Sequence, residues 1–299
     1  MKQYLDLARK VLKHGVLKPN RTGVDTIGIF GEQMRFDLSK GFPAMTTKKL
    51  AWKSIVSELL WFLEGSGDNN RLKEILYGSA SVEKPTIWSA NADDPNWKSK
   101  SESNGDLGRI YGVQWRHWRS PKYIPDHYIL HEYMPAEWTV EEIDQVQNLL
   151  DGLKNDPYGR RHILTAWNPG ELNDMALPPC HCFSQFYVVN NTLSCQMYQR
   201  SCDLFLGVPF NIASYSLLTH IIAKMCNLHV GEFIHTLGDV HIYLNHYDAI
   251  KEQLKRMPHP LPTLKITKDK AINITDFSVD DFVLENYVHD EPIKAEMAV

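Results

Sequence analysis

A cysteine that directly follows two prolines marks the most reactive stretch of this 299-residue chain. Each proline ring fixes φ and restricts the residue before it, so Pro178 and Pro179 predict an extended entry that directs Cys180 to one definite place. Several polar groups follow within apolar sequence: the guanidinium of Arg200, the hydroxyl of Ser201, the carboxylate of Asp203 and the carboxamide of Asn211. Such a cluster is either a costly buried polar set or a functional site.

Arginines in turn-like sequence suggest a ligand for that site. They are Arg21, the adjacent Arg160 and Arg161, and Arg200. Phosphate clamps are built from guanidinium groups of scattered segments, although each arginine alone could equally be a surface charge. Together with Ser201 they predict a phosphorylated small molecule held over Cys180. A nearby guanidinium would also favour the thiolate, which is the nucleophilic form.

A carboxylate on a strongly apolar helix is the candidate for proton transfer. The spacing of Ile55, Leu59 and Phe62 predicts one buried face on a helix over 50–64, and Glu58 falls at the edge of that face. Partial desolvation there would raise the pKa of Glu58 and suit it to general acid and base work. The alternative is a glutamate that reaches solvent.

The cysteines carry no framework spacing. Five of them, an odd number, indicate free thiols in a reducing compartment. We expect Cys182, Cys195, Cys202 and Cys226 to be small core residues. The run Cys180-His181-Cys182 lacks the second ligand pair of a zinc site, so we expect no metal.

Composition limits the partners. With 32 Lys and Arg against 36 Asp and Glu, the formal net charge is −4, which gives no bulk attraction to nucleic acid or an anionic membrane. No apolar run reaches the length of a membrane span, and the N-terminus is typical of an amphipathic helix rather than a signal peptide. We therefore expect a cytoplasmic protein.

Periodicity and turn signals predict an α+β fold in one large domain, 1–299, without repeats. Two polar segments, about 90–105 and 120–137, are interpreted as inserted loops, and Thr139 with Glu142 is interpreted as a capping box that opens a helix. The remaining predicted elements are helices over 4–13, 139–154 and 212–227 and strands over 25–37, 163–167, 183–189, 193–198 and 233–243.

Long ordered motifs then identify a family. They are Arg21-Thr-Gly, Thr46-Thr-Lys-Lys, Glu58-Leu-Leu-Trp-Phe-Leu, Asp106-Leu-Gly, Tyr111-Gly-Val-Gln-Trp-Arg, Arg160-Arg, Leu177-Pro-Pro-Cys-His, Gln199-Arg-Ser-Cys-Asp-Leu-Phe-Leu-Gly, Pro209-Phe-Asn-Ile-Ala-Ser-Tyr, Gly238-Asp-Val-His-Ile-Tyr-Leu-Asn-His and the terminal Met297-Ala-Val. Together they resemble the thymidylate synthase family, which also includes pyrimidine hydroxymethylases. The resemblance spans 4–299 apart from the two polar segments.

The resemblance implies a mixed β-sheet packed with helices and a sheet-mediated homodimer. It implies reductive methylation of dUMP to dTMP, with 5,10-methylenetetrahydrofolate as donor of both the one-carbon unit and the hydride, and without a metal. Cys180 would add to C6 of the pyrimidine, and Glu58 would move protons through water. Arg160 and Arg161 would be donated by the partner subunit. Asn211 would pair with the uracil edge.

The resemblance also assigns the site residue by residue. The implied catalytic residues are Cys180, Glu58, Tyr111, His181, Asn211 and Asp203, with Gln185 close by. The implied substrate-binding residues are Arg21, Arg160, Arg161, Gln199, Arg200, Ser201, Cys202, Asp203, Asn211, His241, Ile242 and Tyr243. The implied folate-binding residues are Lys48, Ile87, Trp88, Asn91, Leu177, Asp203, Gly207, Phe210 and Ala298.

Some positions depart from the family pattern. Arg109 stands where the family usually has proline, and Ser184, Leu237 and Val240 also differ. These departures leave a dUMP hydroxymethylase, in which water replaces the hydride, as the main alternative. A dCMP-acting enzyme is disfavoured, because cytosine recognition in this family goes with aspartate where Asn211 stands. RNA binding as the main role has no support from the charge pattern.

Overall fold

The computed structural model describes residues 1–20, 22–129 and 132–297. In this part of the chain the helices are α1 (Lys2–His14), α2 (Trp52–Glu64), α3 (Asn69–Tyr77), α4 (Ser89–Ala92), α5 (Pro95–Lys98), α6 (Tyr111–Arg116), α7 (Gln145–Asn155), α8 (Gly207–Met225) and α9 (Tyr247–Leu254). The strands are β1 (Val16–Lys18), β2 (Thr26–Asp37), β3 (Trp118–Ile124), β4 (His127–Ile129), β5 (Glu132–Met134), β6 (Glu137–Ile143), β7 (Ile163–Thr165), β8 (His181–Val189), β9 (Thr192–Asp203), β10 (His229–Tyr243), β11 (Thr263–Ile266) and β12 (Phe282–Glu285).

The main sheet runs in the order β1-β2-β10-β9-β8-β7 and is mixed. Strands β9 and β10 are parallel, and the other neighbours in this sheet are antiparallel. The predicted α+β fold with a mixed sheet is therefore confirmed. Because β9 and β10 run the same way, their C-terminal ends lie at one edge of the sheet.

The helices cover one face of this sheet and form the core with it. Helix α8 is apolar on nearly all sides and contains Ile212, Leu217 and Ile221, which have no exposed surface. Helix α1 contributes Tyr4 and Val11, also fully buried, as its sequence periodicity predicts. Among the described residues, no helix is long and apolar enough to cross a membrane.

The other face of the sheet is apolar but exposed. Strand β8 alternates, so that Phe186 and Val188 are buried while Phe183, Tyr187 and Val189 are 42%, 61% and 44% exposed. Large apolar side chains therefore face solvent on this side of the main sheet.

The two segments predicted as loops are structured. The first contains the one-turn helices α4 and α5, where Asp94 caps α5 by accepting hydrogen bonds from the amides of Asn96 and Trp97. In the second, β3 and β6 form a hairpin in which Tyr123 lies opposite Trp138. The proline content of this segment suggested turns, but a two-stranded hairpin consists of edge strands, which tolerate proline. Leu130 and His131, within the second segment, lie outside the described residues.

The predicted capping box at Thr139 and Glu142 is wrong, because both residues lie in β6. Helix α7 begins at Gln145, where the side chain of Asp144 accepts a hydrogen bond from the amide of Gln147 at 2.9 Å. Aspartate caps a helix as well as threonine does. The helix ends at Asn155, close to the predicted position.

Candidate active site

Residues from distant segments converge at the sheet edge where β9 and β10 end. Asp203 at the end of β9 pairs with His241 near the end of β10. Strand β8 is antiparallel to β9, so its first residue, His181, pairs with Gln199. Cys180, immediately before β8, is therefore brought to the same edge as the Gln199–Asp203 segment.

The backbone around Cys180 is held from two sides. Its amide donates a hydrogen bond to the Tyr111 hydroxyl at 2.7 Å, and its carbonyl accepts one from the amide of Arg200 at 2.8 Å. The Arg200 guanidinium donates to the carbonyls of Pro179 and Pro178, both at 2.8 Å. The arginine next to the half-buried thiol thus fixes the loop that carries it.

A column of rings supports this loop. The imidazole of His181 lies 4.2 Å from the Tyr111 ring, and its Nδ1 lies 2.8 Å from the Tyr215 hydroxyl. Burial, with a smaller effect from His235, lowers the pKa of His181 to about 3. Burial also raises the pKa of Tyr111 well above its usual range. Both groups are therefore neutral near pH 7 and act as hydrogen-bonding supports.

Glu58 lies on the other side of Tyr111. Its Oε1 accepts a hydrogen bond from Trp88 Nε1 at 2.7 Å, and the Trp88 ring lies 5.7 Å from the Tyr111 ring. Burial raises the pKa of Glu58 to about 7, against the opposing effect of the Trp88 hydrogen bond. The raised pKa expected from the sequence is confirmed, and at neutral pH this carboxyl can both accept and release a proton.

A chain of hydrogen bonds orients Asn211. Gln199 Nε2 donates to Asn211 Oδ1 at 3.0 Å and to the carbonyl of Ser201 at 2.9 Å. Gln199 Oε1 lies 2.8 Å from Nε2 of the buried His235, which must therefore donate. Asn211 stands in the first turns of α8, and its carboxamide is fixed by partners on β9 and β10.

Asp203 and Lys48 form a second polar group near the start of α8. Asp203 Oδ1 accepts hydrogen bonds from the amides of Phe205 and Leu206 at 3.1 and 3.4 Å. Lys48 is buried, and its Nζ donates to the Phe205 carbonyl at 2.6 Å. Burial lowers the pKa of Lys48 to about 7, opposed by Asp203. The lysine thus lies beside the predicted folate residues rather than in open solvent.

The other predicted site residues range from exposed to fully buried. Arg160 and Arg161 are exposed, and Gln185 Nε2 donates to the Arg160 carbonyl at 3.3 Å. Cys202 and Ile242 are fully buried strand residues, so their side chains face the core. The predicted residues of intermediate burial are Asn91, Leu177, Ser201, Gly207, Phe210 and Tyr243. Arg21 and Ala298 lie outside the described residues.

The remaining cysteines and the family departures lie mostly in the core. Cys182 and Cys195 are buried free thiols, as predicted, whereas Cys226 is half-buried. Leu237 and Val240 are also core residues, and the buried Ser184 hydroxyl has no hydrogen-bond partner among the residues that the structure describes. Among the described residues, no group of three or more His, Cys, Asp or Glu side chains could hold a metal ion.

Sequence reasoning missed residues that hold the site from behind. Tyr215 and His235 contact His181 and Gln199, and the Trp167 ring lies 5.3 Å from the Arg200 guanidinium. Each lies far in sequence from the residue that it contacts, so no local sequence pattern predicts its role. A weak signal existed for His235 alone, as a polar residue on the inward face of an otherwise apolar strand.

Comparison with known proteins agrees with this geometry over the full length. A family model described as "Thymidylate synthase" matches residues 2–299. A protein named "Thymidylate synthase" from Vesicomyosocius okutanii subsp. Calyptogena okutanii (strain HA) is 50% identical over 299 residues, which cover 100% of both chains.

Proposed function

The chain belongs to the thymidylate synthase family of methyltransferases, and we propose that it methylates dUMP to dTMP with 5,10-methylenetetrahydrofolate. The observation that carries this proposal is one continuous set of contacts. It runs from the loop of a half-buried cysteine through Tyr111 and Trp88 to a carboxyl with a pKa of about 7. A nucleophile and a proton-transfer group joined in this way suit addition to a pyrimidine.

In the proposed reaction the Cys180 thiolate adds to C6 of dUMP, and the electron pair of the C5–C6 bond moves toward the O4 carbonyl. C5 then bonds to the methylene carbon of the folate as the bond between that carbon and N10 breaks, which leaves the carbon attached to N5. Glu58, through water, moves the protons, including the one lost from C5. Elimination of tetrahydrofolate leaves an exocyclic methylene, and a hydride from that tetrahydrofolate yields dTMP and dihydrofolate while the thiolate departs.

The base and the phosphate would be held by separate groups. Asn211 can accept from uracil N3–H and donate to O4, and Gln199 and His235 support this reading because they fix its carboxamide. Arg200 and Ser201 would bind the phosphate together with Arg21. His241 and Tyr243 would bind the sugar, and their rings form an edge-to-face pair 5.2 Å apart.

The folate would lie against Trp88 and the turn before α8. Ile87 is 48% exposed beside the buried Trp88, which supports an apolar platform for a ring system. Asp203, Gly207 and Asn211 are close together, since a Cβ built on Gly207 would lie 3.7 Å from both neighbours. Contact between Lys48 and the glutamyl tail of the folate would require its Nζ to leave the Phe205 carbonyl.

We further propose a homodimer through the exposed face of the main sheet. The exposed Phe183, Tyr187 and Val189 support this surface. Arg160 and Arg161 support a shared site, because their side chains are exposed and their guanidinium groups can therefore reach a second subunit. Mixed refolding of inactive Arg160→Ala and Cys180→Ser chains should then restore about a quarter of the sites. No recovery in dimers verified by light scattering would exclude sharing.

Product analysis tests the central proposal. The enzyme should convert dUMP and methylenetetrahydrofolate to equal amounts of dTMP and dihydrofolate, which mass spectrometry and absorbance measure separately. Only a synthase oxidises the folate. Conversion of the nucleotide with tetrahydrofolate as the sole folate product would overturn the proposal and identify a hydroxymethylase.

A further inference from the structure

An ion pair with little exposure to solvent lies near Tyr111. Arg109 Nε lies 2.6 Å from Glu171 Oε2, and each side chain is only 12% exposed. The same guanidinium donates through its second nitrogen to the carbonyl of His117 at 2.5 Å. The arginine thus bridges the residue before β3 to the short 3-10 helix Pro169–Asp174, which carries Glu171.

Glu171 is the centre of this polar cluster. Its Oε2 also accepts hydrogen bonds from Gln114 Nε2 at 2.7 Å and Asn168 Nδ2 at 3.2 Å. Arg119 approaches Oε1 at 3.7 Å. Burial opposes ionisation, but the hydrogen bonds from Arg109 and Gln114 outweigh it and lower the pKa of Glu171. The carboxylate is therefore charged and well satisfied, which fixes the positions of its donors.

The main chain beside the ion pair leads directly to Cys180. The Arg109 amide donates to the carbonyl of Asp174 at 2.8 Å, and the Ala176 amide donates to the carbonyl of Leu107 at 3.0 Å. Residues 107–109 are thus joined to residues 174–176, which Leu177 separates from the two prolines before Cys180. The ion pair fastens these two segments by side chains as well.

Tyr111, two residues after Arg109, needs such support. Its φ is +21°, outside the regions that non-glycine residues usually adopt. A strained backbone of this kind persists only where the surroundings over-determine it. The Tyr111 hydroxyl is the group that accepts the Cys180 amide hydrogen bond. Arg109 therefore stands at one end of a rigid connection and the reactive cysteine at the other.

We propose that Arg109 and Glu171 are positioning residues for the reaction at Cys180: their ion pair holds the Tyr111 turn against the Cys180 loop, so that the thiol is presented to the pyrimidine in one orientation. The identity of the electrophile rests on the proposed function, whereas the positioning does not.

The test compares Arg109→Met, Glu171→Gln and their combination with the parent enzyme. We expect kcat to fall about 10- to 100-fold, because a small misplacement of reacting groups has effects of that size, while the KM for dUMP changes less than about threefold. The double variant should be no worse than the worse single one, since the two residues act as a unit. Arg109→Lys cannot reach both partners and should lie in between.

A readout that needs no substrate separates this inference from the proposed function. Iodoacetamide alkylation of Cys180, followed on its peptide by mass spectrometry, should change rate in Arg109→Met, while the half-buried Cys226 serves as internal reference. Arg71→Met is the matched control, because Arg71 forms an ion pair with Glu64 on the exposed surface. It should leave both rates unchanged. If the parent enzyme makes no dTMP, the proposed function fails, but the alkylation ratio still decides the positioning.

Combining the Arg109 substitution with one at Tyr111 gives the decisive test. In a Tyr111→Phe background, which already lacks the acceptor for the Cys180 amide, Arg109→Met should add less than about a threefold loss. A full additional loss there would mean that Arg109 acts by another route. A lowered melting temperature with unchanged kcat and unchanged Cys180 alkylation would show a purely structural pair. If Arg109→Met does not fold, Arg109→Lys and Glu171→Gln carry the same comparisons.

Discussion

The sheet edge around Cys180 and the β3–β6 hairpin are both built from paired strands, yet they hold their side chains in opposite ways. At the sheet edge, Gln199 and His181 are buried, and their side chains are hydrogen-bonded to Asn211 and Tyr215 respectively. On the hairpin, Trp138 is 72% and Val140 61% exposed, and the Tyr123 ring lies 5.3 Å from the Trp138 ring across the strands.

The difference shows what fixes a side chain for chemistry. Backbone pairing is continuous along the hairpin, whereas the β8–β9 pair has a register shift between His181 and Phe183. Regular pairing is therefore not what fixes the site: the sheet edge adds side-chain contacts from elements far apart in sequence, such as Tyr111 to Cys180. In the described part of the hairpin, contacts of this kind lie at its base, where His117 and Arg119 meet the Arg109–Glu171 cluster. Substitutions should therefore have large functional effects at the sheet edge and small ones at the hairpin tip.

The largest effect should come from the nucleophile. Cys180→Ser should lower turnover by at least about 10⁴-fold while nucleotide binding persists, because a hydroxyl keeps the shape but is a far poorer nucleophile near neutral pH. Titration calorimetry with dUMP measures binding separately. Cys226→Ser, at another half-buried thiol, should retain full activity. A 5-fluoro-dUMP adduct on the Cys182 or Cys202 peptide of the parent enzyme would contradict the assignment.

Replacing the half-buried Glu58 carboxyl should have the next largest effect. Glu58→Gln should lower kcat by about 10²- to 10⁴-fold and remove the part of the pH–rate profile that titrates near pH 7. Glu64→Gln lies on the same helix in a surface ion pair and is the matched control. A profile that keeps its inflection near pH 7 in Glu58→Gln would assign that titration to another group.

The same carboxyl gives a stability signature with a defined sign. Its pKa is raised by burial from 4.5 to about 7, so the folded state holds the proton more tightly than the unfolded chain does. The resulting stabilisation is fully present below pH 4.5 and is lost as pH rises through about 7, on the order of 3 kcal/mol in all. Denaturant titrations should show the parent losing stability relative to Glu58→Gln over this range.

The contrast between the two regions also explains which features could be predicted from the sequence. Periodic apolar residues correctly predicted α1, α2 and the central strands, and paired prolines marked the Cys180 entry, because those signals are local. The hairpin was mistaken for a loop, since Pro121 and Pro125 suggest turns unless the pairing partner is known. His235 and Glu171 were not identified, because their roles depend on contacts between segments that only folding brings together.

A smaller, more selective effect is expected at Asn211, which is proposed to recognise the pyrimidine base. Asn211→Asp should shift the ratio of kcat/KM for dUMP over dCMP toward dCMP by about 10- to 100-fold, because a carboxyl group can face the cytosine N3 and amino edge. The acceptor for Gln199 Nε2 is retained, so the fold should not change. Asn190→Asp, in the exposed β8–β9 turn, is the control. An unchanged ratio of kcat/KM values would show that Asn211 does not recognise the base.

The smallest effect should come from the tip of the hairpin. Trp138→Ala removes an exposed ring that packs 5.3 Å from Tyr123, and such a cross-strand aromatic pair contributes about 0.5–1.5 kcal/mol. We expect that loss at most, with kcat within about twofold of the parent. Trp97→Ala makes the contrast, because Trp97 is buried and donates to the Asp106 carbonyl at 2.7 Å. Its removal should cost about 3–5 kcal/mol in the free energy of unfolding. A loss of kcat in Trp138→Ala at unchanged stability would mean that the whole hairpin, and not only its base, takes part in holding the site.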